Sequence, residues 1–209
     1  MNRILARCLA AAVLVLAVPF AAHAQTWTEG GDAGDLVATA QQTAGTGPLT
    51  TINGTLASAT DVDMYCIHLN ATPSGGSPLV QLLCVAIGGP NAWLFDSNGI
   101  GVETDETCAG NYKMLLAPNG SLAPGTYYVA VSYSEVDPQS AGGPIWLPSV
   151  LGPRAPDGPG AAGALTGWAG TPNVQPLNPY SVMLTGFGYC SAAVPALHAT
   201  WGVLKSHYR

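Results

Sequence analysis

Short runs of alternating apolar and polar residues, each closed by Gly, Pro, Asn or Asp, recur between Leu49 and Leu184. No amphipathic helix of useful length interrupts them. Alternation with a period of two places every second side chain on one face of a strand. Many such runs with turn signals between them point to a β-sandwich or barrel. The pattern is clearest at Thr126–Tyr133, where Tyr127, Val129, Val131 and Tyr133 share a face. It recurs at Met64–Leu69, with Tyr65, Ile67 and Leu69 on one face and Met64, Cys66 and His68 on the other. Further strands are expected at 49–56, 79–87, 92–95 and 112–116, with 180–184 as the last.

Residues 1–24 read as a secretory signal peptide. Arg3 and Arg7 make a positive start, Cys8 to Phe20 is almost wholly apolar, and Ala22-His23-Ala24 supplies small residues at a cleavage site. The apolar run falls short of the roughly 20 residues that span a bilayer. Cleavage after Ala24 leaves a chain expected to be soluble, with no transmembrane anchor and one sandwich domain over 25–190. Four basic residues then face twelve acidic ones, a net charge of about −8 (four minus twelve). Phosphate recognition needs clustered Lys and Arg, so a nucleic-acid partner is excluded.

Four cysteines remain after cleavage: Cys66, Cys84, Cys108 and Cys190. An even count in an exported chain points to two disulfides, with three connectivities open. A hairpin turning at Pro73-Ser74-Gly75-Gly76 would set Cys66 opposite Cys84. That favours Cys66–Cys84 with Cys108–Cys190.

Residues 138–177 form a long Gly/Pro-rich loop. Sixteen of its forty residues are Gly or Pro, a composition that alone would suggest disorder. It also carries Ile145, Trp146, Leu147, Val150, Leu151, Leu165 and Trp168. Those apolar residues imply that the loop packs across the sandwich, either merely covering a sheet face or serving as a binding loop. Trp146 and Trp168 are the candidate stacking residues for a sugar or peptide, with core or loop packing as the favoured alternative. In the tail, 191–209, Val194, Leu197, Trp201, Leu204 and Tyr208 recur at helical spacing, and the segment is either an address or docking element or a frayed end.

The order of motifs carries a resemblance. Gly31-Asp32-Ala33-Gly34-Asp35 is followed by Ile52-x-Gly54-Thr55-Leu56 and Asp61-Val62-Asp63-Met64-Tyr65. Leu94-Phe95-Asp96-Ser97-Asn98-Gly99, Leu122-Ala123-Pro124-Gly125-Thr126-Tyr127 and Tyr180-Ser181-Val182-Met183-Leu184 complete the series. Together they resemble the bacterial pre-peptidase C-terminal domain superfamily, in its stand-alone exported form. The resemblance implies an all-β, jelly-roll-like sandwich of mainly antiparallel strands that is noncatalytic. It also implies calcium held between an acidic lead-in and aspartates ahead of an early strand. By position these are Glu29, Asp32, Asp35, Asp61 and Asp63. The chain departs from the pattern in having no peptidase domain ahead of the module and no Val-Pro-Glu-Pro sorting tail.

Calcium takes six to eight hard oxygen ligands, and carboxylates among glycines supply them without crowding. The alternative for the same aspartates is capping of turns through backbone N–H groups. Asp105 and Glu106, with Asp96 nearby, form a second acidic patch, expected to be a solvated loop. No Gly-x-Ser-x-Gly elbow, His-Glu-x-x-His motif or glycine-rich phosphate loop is present. The expected function is therefore an exported accessory or binding module engaging an extracellular protein or polysaccharide. The alternatives are an exported hydrolase with an unrecognised site, or sorted surface cargo.

Overall fold

The computed structural model describes residues 25–71, 77–83, 89–106, 112–116, 122–148, 150–172 and 179–192. The signal segment, Cys84, Cys108, the turns at 73–76 and 118–120, and the tail beyond 192 lie outside these residues. No helix occurs among them.

In chain order the strands are β1 (Gln25–Thr28), β2 (Gln41–Gln42), β3 (Ala44–Gly45), β4 (Leu49–Thr55) and β5 (Val62–Leu69). They continue with β6 (Leu79–Leu83), β7 (Asn91–Asp96), β8 (Gly101–Asp105), β9 (Tyr112–Leu116) and β10 (Gly125–Ser132). The last are β11 (Asp137–Ser140), β12 (Gly143–Pro144), β13 (Leu165–Ala169), β14 (Pro179–Thr185), β15 (Phe187–Tyr189) and β16 (Ser191–Ala192). One main sheet has the order β1-β4-β14-β6-β9 and the other β15-β5-β10-β7-β8, with β2 also pairing β5. The pairings are antiparallel except β1 with β4, β2 with β5 and β16 with β3. The fold is an all-β sandwich, as the alternation requires.

Register explains the core. Asp63, Tyr65 and Ile67 on β5 stand opposite Val131, Val129 and Tyr127 on β10. Val129 and Val131 in turn face Leu94 and Ala92 on β7. These side chains share one face and pack against Ile52, Val80, Leu82, Val182 and Leu184 of the other sheet, all essentially buried. Gly54 is needed here: a Cβ at that position would run into the hydroxyls of Tyr65 and Tyr180.

The opposite face of the second sheet is also covered. Trp93 and Phe95 project from it, and Trp146 and Trp168 of the Gly/Pro-rich segment pack on both, with ring centroids 5.3–6.3 Å apart. That segment is held by a small sheet of its own, β12-β11-β13. It is an ordered third layer that covers a sheet face. Trp146 is only 1% exposed, so the expected stacking role fails for it: its ring is spent on Trp93 and Phe95. Trp168 is half-buried, and its indole donates to the Asp35 carbonyl at 2.7 Å.

Two further expectations are corrected. Strands β5 and β6 belong to different sheets, so the chain crosses the sandwich after Leu69 and no hairpin sets Cys66 against Cys84. Cys66 is bonded instead to Cys190, 124 residues later, because β15 pairs with β5 and delivers Cys190 beside it. The expected acidic loop is strand β8: Glu103 and Asp105 are 4% and 2% exposed, and Glu106 pairs with Arg154 at 2.6 Å.

Candidate metal centre

The lead-in is fixed before it reaches the aspartates. The Gln41 side chain accepts from the Trp27 indole (3.0 Å) and the Gly30 amide (3.1 Å), and donates to the Gly30 carbonyl. Gly31 and Gly34 adopt φ of 78° and 68°, a left-handed backbone that glycine enters without steric cost. The Met64 amide then donates to the Gly34 carbonyl at 2.9 Å, tying the lead-in to the start of β5. These bonds bring one carboxylate oxygen each of Asp32, Asp61 and Asp63 within 4.8 Å of one another.

Each of the three spends one oxygen on the protein. Asp32 Oδ1 accepts from the Gly34 amide at 3.0 Å, and Asp61 Oδ2 from the Ala57 amide. Asp63 Oδ2 accepts from the Tyr180 hydroxyl at 2.5 Å, and Tyr180 lies 2.7 Å from the Tyr65 hydroxyl. Turn capping and convergence are therefore both present in the same residues. Asp63 is fully buried, and its Oδ1 has no hydrogen-bond partner. An unmatched carboxylate oxygen in the interior is costly and invites a cation or a proton.

Electrostatics agree with that geometry. Burial is the main cause pushing the Asp63 carboxyl up, to about 8, against the lowering effect of the Tyr180 hydrogen bond. The charges of Glu29 and Asp61 push it further in the same direction. Burial likewise raises Tyr65 and Tyr180 above the ordinary phenol value, with neighbouring charge adding to it. Three gathered carboxylates, one of them held unfavourably as an anion, could hold a metal ion.

Of the five expected ligands, Asp32, Asp61 and Asp63 come together. Glu29 lies beside them: its Oε2 accepts from the Thr55 amide at 2.8 Å and its charge acts on Asp63. Asp35 stands outside the group of three and contributes its backbone carbonyl to Trp168 instead. The Tyr180–Asp63 contact had no signal in the sequence, because 117 residues separate the partners.

Among the described residues no helix is long and apolar enough to cross a membrane. No protein-family model matches the chain, and no curated protein matches it as a relative.

Proposed function

We propose that the protein is an exported, noncatalytic β-sandwich binding module whose lead-in is pinned to the sandwich by calcium. The observation that carries the cation is the meeting of Asp32, Asp61 and Asp63 around a buried, unpartnered Asp63 oxygen. Hard carboxylate oxygens suit calcium better than softer metals, and the set contains no Cys or His. Backbone carbonyls and water would complete the shell. A calcium ion there would join the segment after β1, in one sheet, to the start of β5 in the other. Its role is to hold the two sheets in register at that end.

Export is supported by the apolar leader with its small-residue cleavage site, and by a disulfide, a bond favoured in oxidising compartments. A noncatalytic role is supported by the motif order that resembles the pre-peptidase C-terminal superfamily. It is supported too by the way the Asp32, Asp61 and Asp63 carboxylates are tied to a backbone amide or tyrosine hydroxyl.

Thermal unfolding of the mature chain in millimolar calcium and in chelator tests the cation. Binding at about 100 times Kd contributes about 2.7 kcal/mol, or a rise of about 5–10 °C in melting temperature for a chain of this size. Asp61→Ala should abolish the rise and Asp35→Ala should keep it. Identical melting with and without calcium rules the site out. Hydrolysis of a glycoside or peptide that Asp61→Ala abolishes would overturn the noncatalytic reading.

A further inference from the structure

The outer face of the β1-β4-β14-β6-β9 sheet carries an open groove of about 400 Å³, within the range of small-ligand sites. Its floor is a row that crosses four strands. Thr28 on β1 stands opposite Asn53 on β4, Asn53 opposite Ser181 on β14, and Leu83 on β6 continues the row. Glu29, Thr55 and Pro179 form the neighbouring row.

The chemistry of this lining is narrow. Its side chains offer two threonine hydroxyls, a serine hydroxyl and an amide, the Tyr180 hydroxyl being spent on Asp63, and there is no Lys, Arg or His. Ser181 donates to Asn53 Oδ1 at 2.7 Å, which leaves the Asn53 amide nitrogen directed to donate elsewhere. Glu29 commits Oε2 to the Thr55 amide and lies within hydrogen-bond reach of the buried Asp63, so its carboxylate is turned away from the outer face. An amide donor flanked by hydroxyls that both donate and accept matches groups that do the same. Alcohol hydroxyls are such groups. Anionic ligands find no cation in the lining. An extended peptide would dock by main-chain pairing at a sheet edge, whereas this groove runs across the face of four paired strands.

We infer that the groove binds a neutral polysaccharide, with Asn53 and Ser181 taking adjacent sugar hydroxyls and Thr28 and Thr55 completing the row. The inference rests on the binding-module reading and gives that module its ligand class. Asn53 and Ser181 lie on the outward face, so their truncation leaves the core untouched.

The test is affinity electrophoresis of the mature chain in native gels containing a soluble glucan, a xylan or a galactomannan, with polygalacturonate as the anionic counterpart. Retardation is expected in at least one neutral gel and none in polygalacturonate. Asn53→Ala and Ser181→Ala should each weaken it about tenfold, the loss of one or two well-placed hydrogen bonds. Leu151→Ser, on a distant exposed loop, should not change it. Thr28→Ala on the edge strand serves if either groove variant fails to fold. No retardation of the wild type in any neutral gel overturns the groove. Retardation that the groove variants leave unchanged also overturns it, while leaving the binding-module reading standing. Stronger retardation in polygalacturonate overturns the neutral ligand class. The calcium response of the same samples reports on the cation site separately.

Discussion

The Tyr180 hydroxyl donates to the Asp63 carboxylate at 2.5 Å across the interface of the two sheets. With the Tyr65 hydroxyl it makes a polar bolt between the two sheets, since these residues project inward from β14 and β5. Removing the donor leaves Asp63 buried with neither oxygen satisfied by a side chain. Tyr180→Phe should therefore cost about 1–3 kcal/mol, read as a lower urea midpoint with an unchanged slope. At pH 9, where the Asp63 carboxyl is ionised, the penalty of the same change should be smaller in Asp63→Asn, because no buried charge is left behind.

Stability in chelator should fall as pH rises. Asp63 is raised from its ordinary 3.8 to about 8, chiefly by burial. The folded state thus holds a proton that the unfolded chain releases. That contribution is complete below pH 4 and is lost as pH climbs through about 8. Asp137 adds a smaller part that ends near pH 6, because burial and the charges of Glu106 and Glu135 raise it to about 6. Urea midpoints across pH 4–9 should fall steadily for the wild type and less for Asp63→Asn. Asp137→Asn should flatten only the lower part. Saturating calcium should offset the upper part, since the ion supplies the charge that the proton otherwise supplies.

The sandwich was legible where side chains follow the usual sense of burial. Tyr65, Ile67, Val129 and Val131 alternate cleanly and lie in the core. Strand β8 was not, because Glu103 and Asp105 are buried and charged residues at alternate positions read as a wet loop. The Gly/Pro-rich segment was legible only through its tryptophans; composition hid the small sheet they anchor. Asp32, Asp61 and Asp63 could be grouped from motif order. The Cys66 partner could not be chosen, since hairpin arithmetic assumes that successive strands pair and here they change sheets.

Arg154 organises an exposed apolar loop. Its guanidinium reaches the carbonyls of Leu147 and Val150 and the carboxylates of Glu106 and Asp157. Leu151 at the tip is 72% exposed. Arg154→Met keeps the stem and deletes the fork, leaving two carboxylates and two carbonyls without it. A loss of about 2–4 kcal/mol in denaturant unfolding is expected. Faster proteolysis within 147–154 should accompany it. Neutralising Glu106 and Asp157 in the same chain should recover part of the loss.

Trp146 is the keystone of the third layer. Truncation to Ala should cost about 3–5 kcal/mol, as for other buried large aromatics. Its measurement is the shift in urea midpoint. A loss under 1 kcal/mol would mean that the layer does not pack on Trp93 and Phe95 in solution.

Strand β14 sits between β4 and β6, although almost the whole chain precedes it. Until Pro179–Thr185 is present, β4 and β6 have no common neighbour and that sheet is split. Cys190, which closes the covalent cross-link to Cys66, comes later still. Synthesis order and assembly order are thus opposed: neither main sheet is finished before β14 and β15, and contacts this distant in sequence form slowly. Closing both main sheets, and the cross-link to Cys66, therefore falls to one segment, residues 179–190.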